Sequence, residues 1–480
     1  MKSKEGMNMN QNRIPLYEAL IQFKDKSPLS LHVPGHKNGL DFPERAQVGF
    51  SDVLSIDVTE LTGLDDLHSP FECIDEAQQL LADVYGAKKS YFLINGSTVG
   101  NLAMILSCCK EHDIVLVQRN CHKSIINGLK LAGVNPVFLE PWIDKLYGVP
   151  VGVQHEVIKS TIERYPEAKA LILTHPNYYG MGVDLKESIM CAHAQKIPVL
   201  VDEAHGAHFC IGDPFPKSAL EYGADIVVHS AHKTLPAMTM GSYLHINSNL
   251  VNEEKVSSYL SMLQSSSPSY PIMASLDVAR FALANMKEKG CHEIVEFARR
   301  FREELQRIPQ ITVLQYPLQD EIKVTVQTRC ELSGYELQSI FEKLGIYVEM
   351  ADPYNVLFIL PLQVNEQYIK AIEVMRVALS NYTVTDKIPS IRYTYKGSFS
   401  SLPFTYKQLE KYKKKVVPLQ EAAGMIAADM VIPYPPGIPL LMYGEEITTE
   451  HIEQISYLEE IGARFQGNIK YMNVYDIERK

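Results

Sequence analysis

Two stretches of this chain set an acid and a lysine just past apolar, β-rich runs. Ile197 to Val201 leads into Asp202-Glu203-Ala204-His205, and Asp225 to Val228 leads into His229-Ser230-Ala231-His232-Lys233. Such runs suit buried strands of a parallel sheet, and a helix crossing between them is expected at about Pro216 to Tyr222. In an open α/β sheet the ligand crevice lies beyond the carboxyl ends of the strands, so Asp202 and Lys233 are expected to converge there.

A carboxylate and a primary amine at neighbouring strand ends suit pyridoxal phosphate. Its aldehyde condenses with a lysine, and its pyridine nitrogen needs an anionic partner. Asp202 would keep that nitrogen protonated and the ring an electron sink, while Lys233 would hold the aldehyde. Ser230 and His232 flank the lysine and could donate to the phosphate. The bland alternative is a buried acid and a surface lysine.

Other segments carry matching chemistry. Ser90 to Ile94 reads as a strand running into Asn95-Gly96-Ser97-Thr98 and a helix through Ser107. Gly and small hydroxyls at a helix start form an anion cradle, although Ser and Thr are also ordinary N-caps. The strand Ile114 to Val117 ends in Arg119-Asn120-Cys121-His122-Lys123-Ser124, where the imidazole of His122 could stack on a flat cofactor or be satisfied by backbone. His32, His36 and Lys37 surround the Pro34-Gly35 turn and read either as an anion or cofactor contact or as a structural loop. Asp65, Asp66 and His68 are too crowded as first ligands, with no second cluster, so no metal site is expected. The Asp-Glu-Ala-His box of nucleotide-driven helicases would need an upstream G-x-x-x-x-G-K-[ST] loop, which the sequence lacks. His205 and His208 could form half of a metal site, but the anionic ligands beside them are better used in the cofactor reading.

The segments VDEAHGAH, SAHK, NGSTVGN (95–101), RNCHKS (119–124) and YPPGIPL (434–440) together resemble the ornithine/lysine/arginine decarboxylase family, from about His32 to the C-terminus. The resemblance implies the aspartate-aminotransferase fold (pyridoxal-phosphate fold type I): an α/β large domain with a mainly parallel seven-stranded sheet, a smaller C-terminal α/β subdomain and an extra C-terminal unit. It implies that Ser97 and Thr98 hold the phosphate, with Val99 departing from relatives that carry a third hydroxyl. His122 and His205 would lie against opposite faces of the cofactor ring. His36 and Lys37 would belong to an arm near the active site, and residues 57 to 70 to a loop near the cofactor or the subunit interface. Asn177 stands where relatives often have Thr or Ser, and Ser265-Ser266-Ser267 would reach the phosphate of a neighbouring subunit. Glu349 would meet the cationic tail of the substrate. The reaction implied is decarboxylation of arginine, lysine or ornithine by a homodimer or an assembly of dimers. The rivals are an aminotransferase or other enzyme of the same fold and a cofactor-binding regulatory protein without turnover.

The expected organisation is an N-terminal arm (1–56), a cofactor-binding large domain (57–310), a small subdomain (311–382), a linker (383–415) and a C-terminal unit (416–480). Residues 1–13 read as frayed, and Tyr434-Pro435-Pro436-Gly437 as a rigid structural turn. Helices are expected at Pro15 to Phe23, Cys73 to Tyr85, Gly334 to Leu344 and, as one long element, Ala274 to Ile308. Because the H-x-P-G-H-K segment comes so early in the sequence, the receiver-like domain of longer relatives is not expected.

Composition narrows the class. The 480 residues carry a formal charge of −11, which argues against a nucleic-acid partner. Lys411 to Lys415, broken by Tyr412, reads as a solvated face. The eight cysteines include no C-x-x-C pair, and adjacent Cys108 and Cys109 would make a strained disulfide, so reduced thiols in a cytoplasm are expected. No stretch has the roughly eighteen uncharged apolar residues of a membrane span.

Overall fold

Continuous apolar runs become strands buried on both faces, and these strands divide between two units. A computed structural model describes residues 9–385, 397–434 and 437–477. One unit takes in Met1–Ser107, Leu200–Asp213 and Lys217–Cys291, the other Cys108–Val199, Pro214–Pro216 and His292–Lys480.

In the first unit four strands lie in the order Lys89–Leu93, Ser242–Ile246, Ile226–His229, Val199–Asp202. The last two are parallel, with Leu200 opposite Ile226 and Asp202 opposite Val228, while Ser242–Ile246 runs against both its neighbours. Three strands therefore end at the same edge, and each passes directly into a segment singled out in the sequence. The helix Gly96–Cys108 starts at one of these ends. It sits tightly on the sheet at Gly100, where a Cβ would come within 2.8 Å of Leu93 Cδ1 and Val228 Cγ1. Any side chain there would push the helix start, and Ser97 with it, off the sheet.

The helix Pro15–Asp25 packs on Cys73–Tyr85 and Tyr270–Lys289. Fully buried Arg280 ties down the residues before it, donating to Gln11 O at 2.8 Å and to Arg13 O, and Asp277 accepts from Leu16 N. Residues 10–13 are thus held rather than frayed, and residues 1–8 of the frayed-terminus expectation lie outside the described residues. The expected long helix is two, Tyr270–Lys289 and His292–Gln306, because Gly290 at φ +82° ends the first. The expected crossing helix is also absent. Residues 219–223 form a turn instead, with Ser218 Oγ and Ala219 N committed to the carboxylate of Glu203.

In the second unit Ala170–Thr174, Ile114–Gln118 and Asn135–Leu139 are parallel neighbours, and Phe399–Ser401 adds antiparallel to the last. Four strands in each unit exceed the expected seven by that short strand, which grows from a segment read as linker. Residues 397–415 also hold the capped turn of helix Tyr406–Leu409 and the start of strand Lys414–Pro418; residues 386–396 lie outside the described residues. The same unit holds a four-stranded antiparallel sheet, ordered Ile311–Leu314, Lys323–Thr328, Asn355–Ile359, Met350–Ala351, and the helices Gly334–Lys343 and Glu366–Leu379. Beyond it, strands Lys414–Pro418 and Tyr471–Tyr475 pair, and helix Thr449–Glu460 closes an apolar core around Leu441, Ile447, Ile455 and Val474.

Candidate active site

After Asp202 the chain makes a tight turn, with Gly206 N donating to Glu203 O, and this brings His205 back to the strand end. After His229 a single helical turn, Ala231–Thr234, projects Lys233 from the neighbouring strand. The two turns meet: Lys233 Nζ lies 3.0 Å from His205 Nε2. Asp202 is buried and held from two sides, one oxygen accepting from Asn101 Nδ2 at 2.8 Å and the other from Ala204 N at 3.2 Å. Ser230 Oγ donates to Ser97 Oγ at 2.8 Å, joining the lysine turn to the start of helix Gly96–Cys108.

Asp202, His205, Ser230, Lys233 and Ser97 are therefore brought together within one unit. Thr98 is exposed on the first turn of the same helix, whereas Val99 is buried on its inner side. A hydroxyl at position 99 would face the core, so its loss removes nothing from the outward-facing helix start. Half-buried His232 donates through Nδ1 to Gly241 O at 3.0 Å, which turns that nitrogen toward backbone. Asn101 was not singled out from sequence, although its spacing was informative: four residues past Ser97 on a helix, it must share that face.

A second polar layer lies on the other side of the same strand ends. Glu203 Oε2 accepts from His229 Nε2 at 2.8 Å and from Ser218 Oγ at 2.7 Å. Behind it, His245 is paired with Ser90 Oγ at 2.7 Å, and Tyr85 packs on both imidazoles. Burial, reinforced by His229, holds His245 well below the ordinary histidine range.

In the second unit His122 caps the helix Lys123–Ala132, its Nδ1 accepting from Ser124 N at 3.2 Å. The far side of the ring is covered by Gly437, where a Cβ would stand 3.3 Å from Cδ2 and Nε2. Lys123 N donates to Gly437 O, and Lys123 Nζ to Gln466 Oε1 at 2.9 Å. Largely buried Arg119 donates to Pro439 O, Leu440 O and both oxygens of Glu445. Gly437 belongs to the stretch read only as a rigid turn, and Glu445 lies a little beyond that stretch; Pro435 and Pro436 lie outside the described residues. Glu140 is held above the usual carboxylate range by burial, against the opposing pull of Arg119.

Asn177 is committed to its own loop, with Oδ1 accepting from Met181 N and Nδ2 donating to Pro150 O. That leaves its amide little to offer a ring substituent. Glu349 is exposed just before strand Met350–Ala351. Three residues on, half-buried Asp352 is bonded to Tyr179 Oη and Asn355 Nδ2, and desolvation of its carboxyl group raises it above the usual carboxylate range. In the first unit His36 pairs with Asp57 at 3.1 Å, and Lys37 donates to His32 O. Asp65 gathers backbone N–H groups of Asp66, Phe71, Glu72 and Ile74, ordering the entry to helix Cys73–Tyr85. Its carboxylate is thereby spent on loop structure.

The donor set fits pyridoxal phosphate: an amine for the aldehyde, a buried carboxylate fixed by an amide and a backbone N–H for the ring nitrogen, and hydroxyls at a helix start for the phosphate. Fold and site together define a pyridoxal-phosphate enzyme of the aspartate-aminotransferase class. Known proteins agree. The family profile "Orn/Lys/Arg decarboxylase, major domain" matches residues 14–328, and "Orn/Lys/Arg decarboxylase, C-terminal domain" matches residues 401–468. An uncharacterized protein YaaO of Bacillus subtilis is 47% identical over 95% of this chain and 96% of its own length. An arginine decarboxylase of the same organism is 34% identical over 96% of each. The crystal structure of the Francisella novicida lysine decarboxylase LdcF superposes with a TM-score of 0.81 at 21% identity, covering 97% of this chain and 82% of that one. The chain belongs to the Orn/Lys/Arg decarboxylase family and is a pyridoxal-phosphate-dependent decarboxylase of a basic amino acid.

Proposed function

We propose that the protein α-decarboxylates arginine or lysine, releasing CO2 and the corresponding amine for polyamine metabolism. The observation that carries this reading is the meeting of Lys233 Nζ and His205 Nε2 at 3.0 Å beside the buried, doubly held carboxylate of Asp202. When bound, pyridoxal phosphate supplies an aldehyde for the substrate amine and a protonated ring that accepts the electron pair left behind by CO2.

The rest falls to the chain. Asp202, its orientation set by Asn101 and Ala204 N–H, presents a fixed negative charge for the ring nitrogen. Its burial strengthens that interaction relative to water. Ser97, Thr98 and Ser230, with the start of helix Gly96–Cys108, bind the phosphate, and His232 adds a flanking donor. His205 shares a proton with Lys233 Nζ, so the amine can be released and recovered within each turnover. His122 stacks on the cofactor, as the family likeness suggests. The carboxylate of Glu349 receives the cationic end of the substrate, a role equally consistent with guanidinium or ammonium.

We propose further that the protein is a cytoplasmic homodimer or an assembly of dimers. Leu29, Leu31, Leu40, Val48 and Phe71 are exposed along the first seventy or so residues, an apolar concentration that suits burial against a second copy. All eight cysteines lie among the described residues and none is in a disulfide, which suits a reducing compartment. No helix among the described residues is long and apolar enough to cross a membrane. Sedimentation should show a dimer or larger, and a fully active monomer would refute the assembly. Incubating holoenzyme with arginine, lysine and ornithine separately, while measuring CO2 and amine, tests the reaction. Release of CO2 from arginine or lysine is expected. Amino transfer to an added keto acid without CO2 would make the protein an aminotransferase.

A further inference from the structure

Glu203 follows Asp202, and His229 precedes Ser230. Asp202 faces Val228 in the parallel register, and Glu203 N donates to Val228 O at 2.9 Å, so Glu203 and His229 stand level across the two strands. Side chains alternate along a strand, and the contacts follow that rule. Asp202 and Ser230 reach the helix Gly96–Cys108, while Glu203 and His229 reach each other on the opposite side. Both are completely buried.

The Glu203 carboxylate is filled: His229 Nε2 and Ser218 Oγ donate to one oxygen, and Ala219 N to the other at 3.0 Å. Gly206 is pressed against it, for a Cβ there would lie 2.7 Å from Glu203 Cγ. On its other side the His229 ring rests on Tyr85, at 5.0 Å between centroids. A buried, hydrogen-bonded pair of this kind has one geometry, since any slip of one strand end against the other breaks bonds that no water replaces.

We infer that Glu203 and His229 are positioning residues: a strap joining the two strand ends one residue away from the site, which sets the separation between the Asp202 carboxylate and the Ser230–Lys233 turn. This rests on the pyridoxal-phosphate reading of that site. The strap does not touch the substrate, so its loss acts through cofactor retention and kcat rather than KM. It also gives the glutamate and the glycine of the VDEAHGAH segment a task that the chemistry of Asp202 and His205 leaves unassigned.

The test compares His229→Leu, which deletes the donor, with His229→Gln, whose amide nitrogen reaches the Nε2 position. In holoenzyme, cofactor release is followed by loss of visible absorbance on gel filtration, beside kcat, KM and thermal melting. H229L should release cofactor about tenfold faster and lose about tenfold in kcat at unchanged KM, whereas H229Q should stay within about twofold of wild type on both. Should H229L fail to fold, E203Q, which weakens the charge-assisted bond at constant volume, should show the same pattern at about threefold. Wild-type release and kcat in the leucine variant, or equal impairment in the glutamine variant, would overturn the strap and leave the pair a stabilising contact only. Release is read without substrate, so it stands even if no basic amino acid is decarboxylated. A wild-type protein that acquires no visible absorbance with pyridoxal phosphate would instead remove the reading beneath it.

Discussion

His205 and His122 each leave a strand end, and their surroundings are held in different ways. In the first unit the turns bearing His205 and Lys233 are fixed chiefly by partners 2 to 28 positions away, Asp202 by Ala204 N, Glu203 by Ser218 and each turn by the other, and are tied in addition to the helix Gly96–Cys108 through Asn101 and Ser97. In the second unit the His122 turn is fixed by residues 320 to 343 positions further along, through Arg119 to Pro439, Leu440 and Glu445 and through Lys123 to Gln466. The first turn pair is thus specified largely by a short piece of sequence, with one further tie apiece to a single helix, while the second depends on a distant segment that must fold onto it. Local closure costs little chain entropy, so a short motif can define its own geometry; distant closure needs a strong, buried anchor.

The deepest cut into the first turn pair is Lys233→Ala. Activity should fall by at least about a thousandfold, with thermal stability unchanged because this half-buried side chain adds little to the core. Steady-state CO2 release beside a melting curve checks both halves. In the second unit the anchor is what should matter. Arg119→Ala leaves the Glu445 carboxylate without its bidentate partner in a mostly buried place, and urea unfolding should show a loss of about 2–3 kcal/mol. An unchanged midpoint would mean that the distant segment holds the His122 turn by other means.

This contrast also explains what could be read in advance. Strands, the helices Cys73–Tyr85 and Gly96–Cys108 and the acid–lysine convergence follow from apolar runs and from short motifs whose partners mostly lie close by. Asn101 and Glu203 were written in the same motifs but needed helical spacing and strand alternation to be applied within them. Arg119–Glu445 and Gly437 on His122 depend on a meeting of remote segments, about which neither segment's composition says anything. The break at Gly290 and the turn at 219–223 depart from the expected helices because backbone geometry and hydrogen bonding decide there, whatever apolar spacing the flanking residues show. A positive φ in one case, and backbone and side-chain groups drawn off to Glu203 in the other, override that periodicity.

Two smaller effects sharpen the comparison. Gly437 combines φ +89° with the His122 ring at 3.3 Å from a would-be Cβ, so Gly437→Ala should cost about 1–2 kcal/mol in urea unfolding and lower kcat more than it raises KM. A change confined to stability would separate Gly437 from the function of His122. In the first unit, His245 is held well below its ordinary value of 6.5. The unfolded chain therefore takes up a proton there that the folded chain refuses. The associated stability is present above that value and lost as pH falls. Stability should therefore fall between neutrality and about pH 6, by less than about 1 kcal/mol, and His245→Gln should flatten this slope in pH-dependent urea unfolding. An identical slope in the variant would mean that His245 titrates alike in both states.

The most direct measurement of the central claim is reduction of the pyridoxal-phosphate-loaded protein with borohydride, followed by mapping of the modified peptide. The account predicts a single pyridoxyl group on Lys233, in the peptide that carries Ser230 and His232. A pyridoxyl group on any other lysine, or none at all, would contradict it.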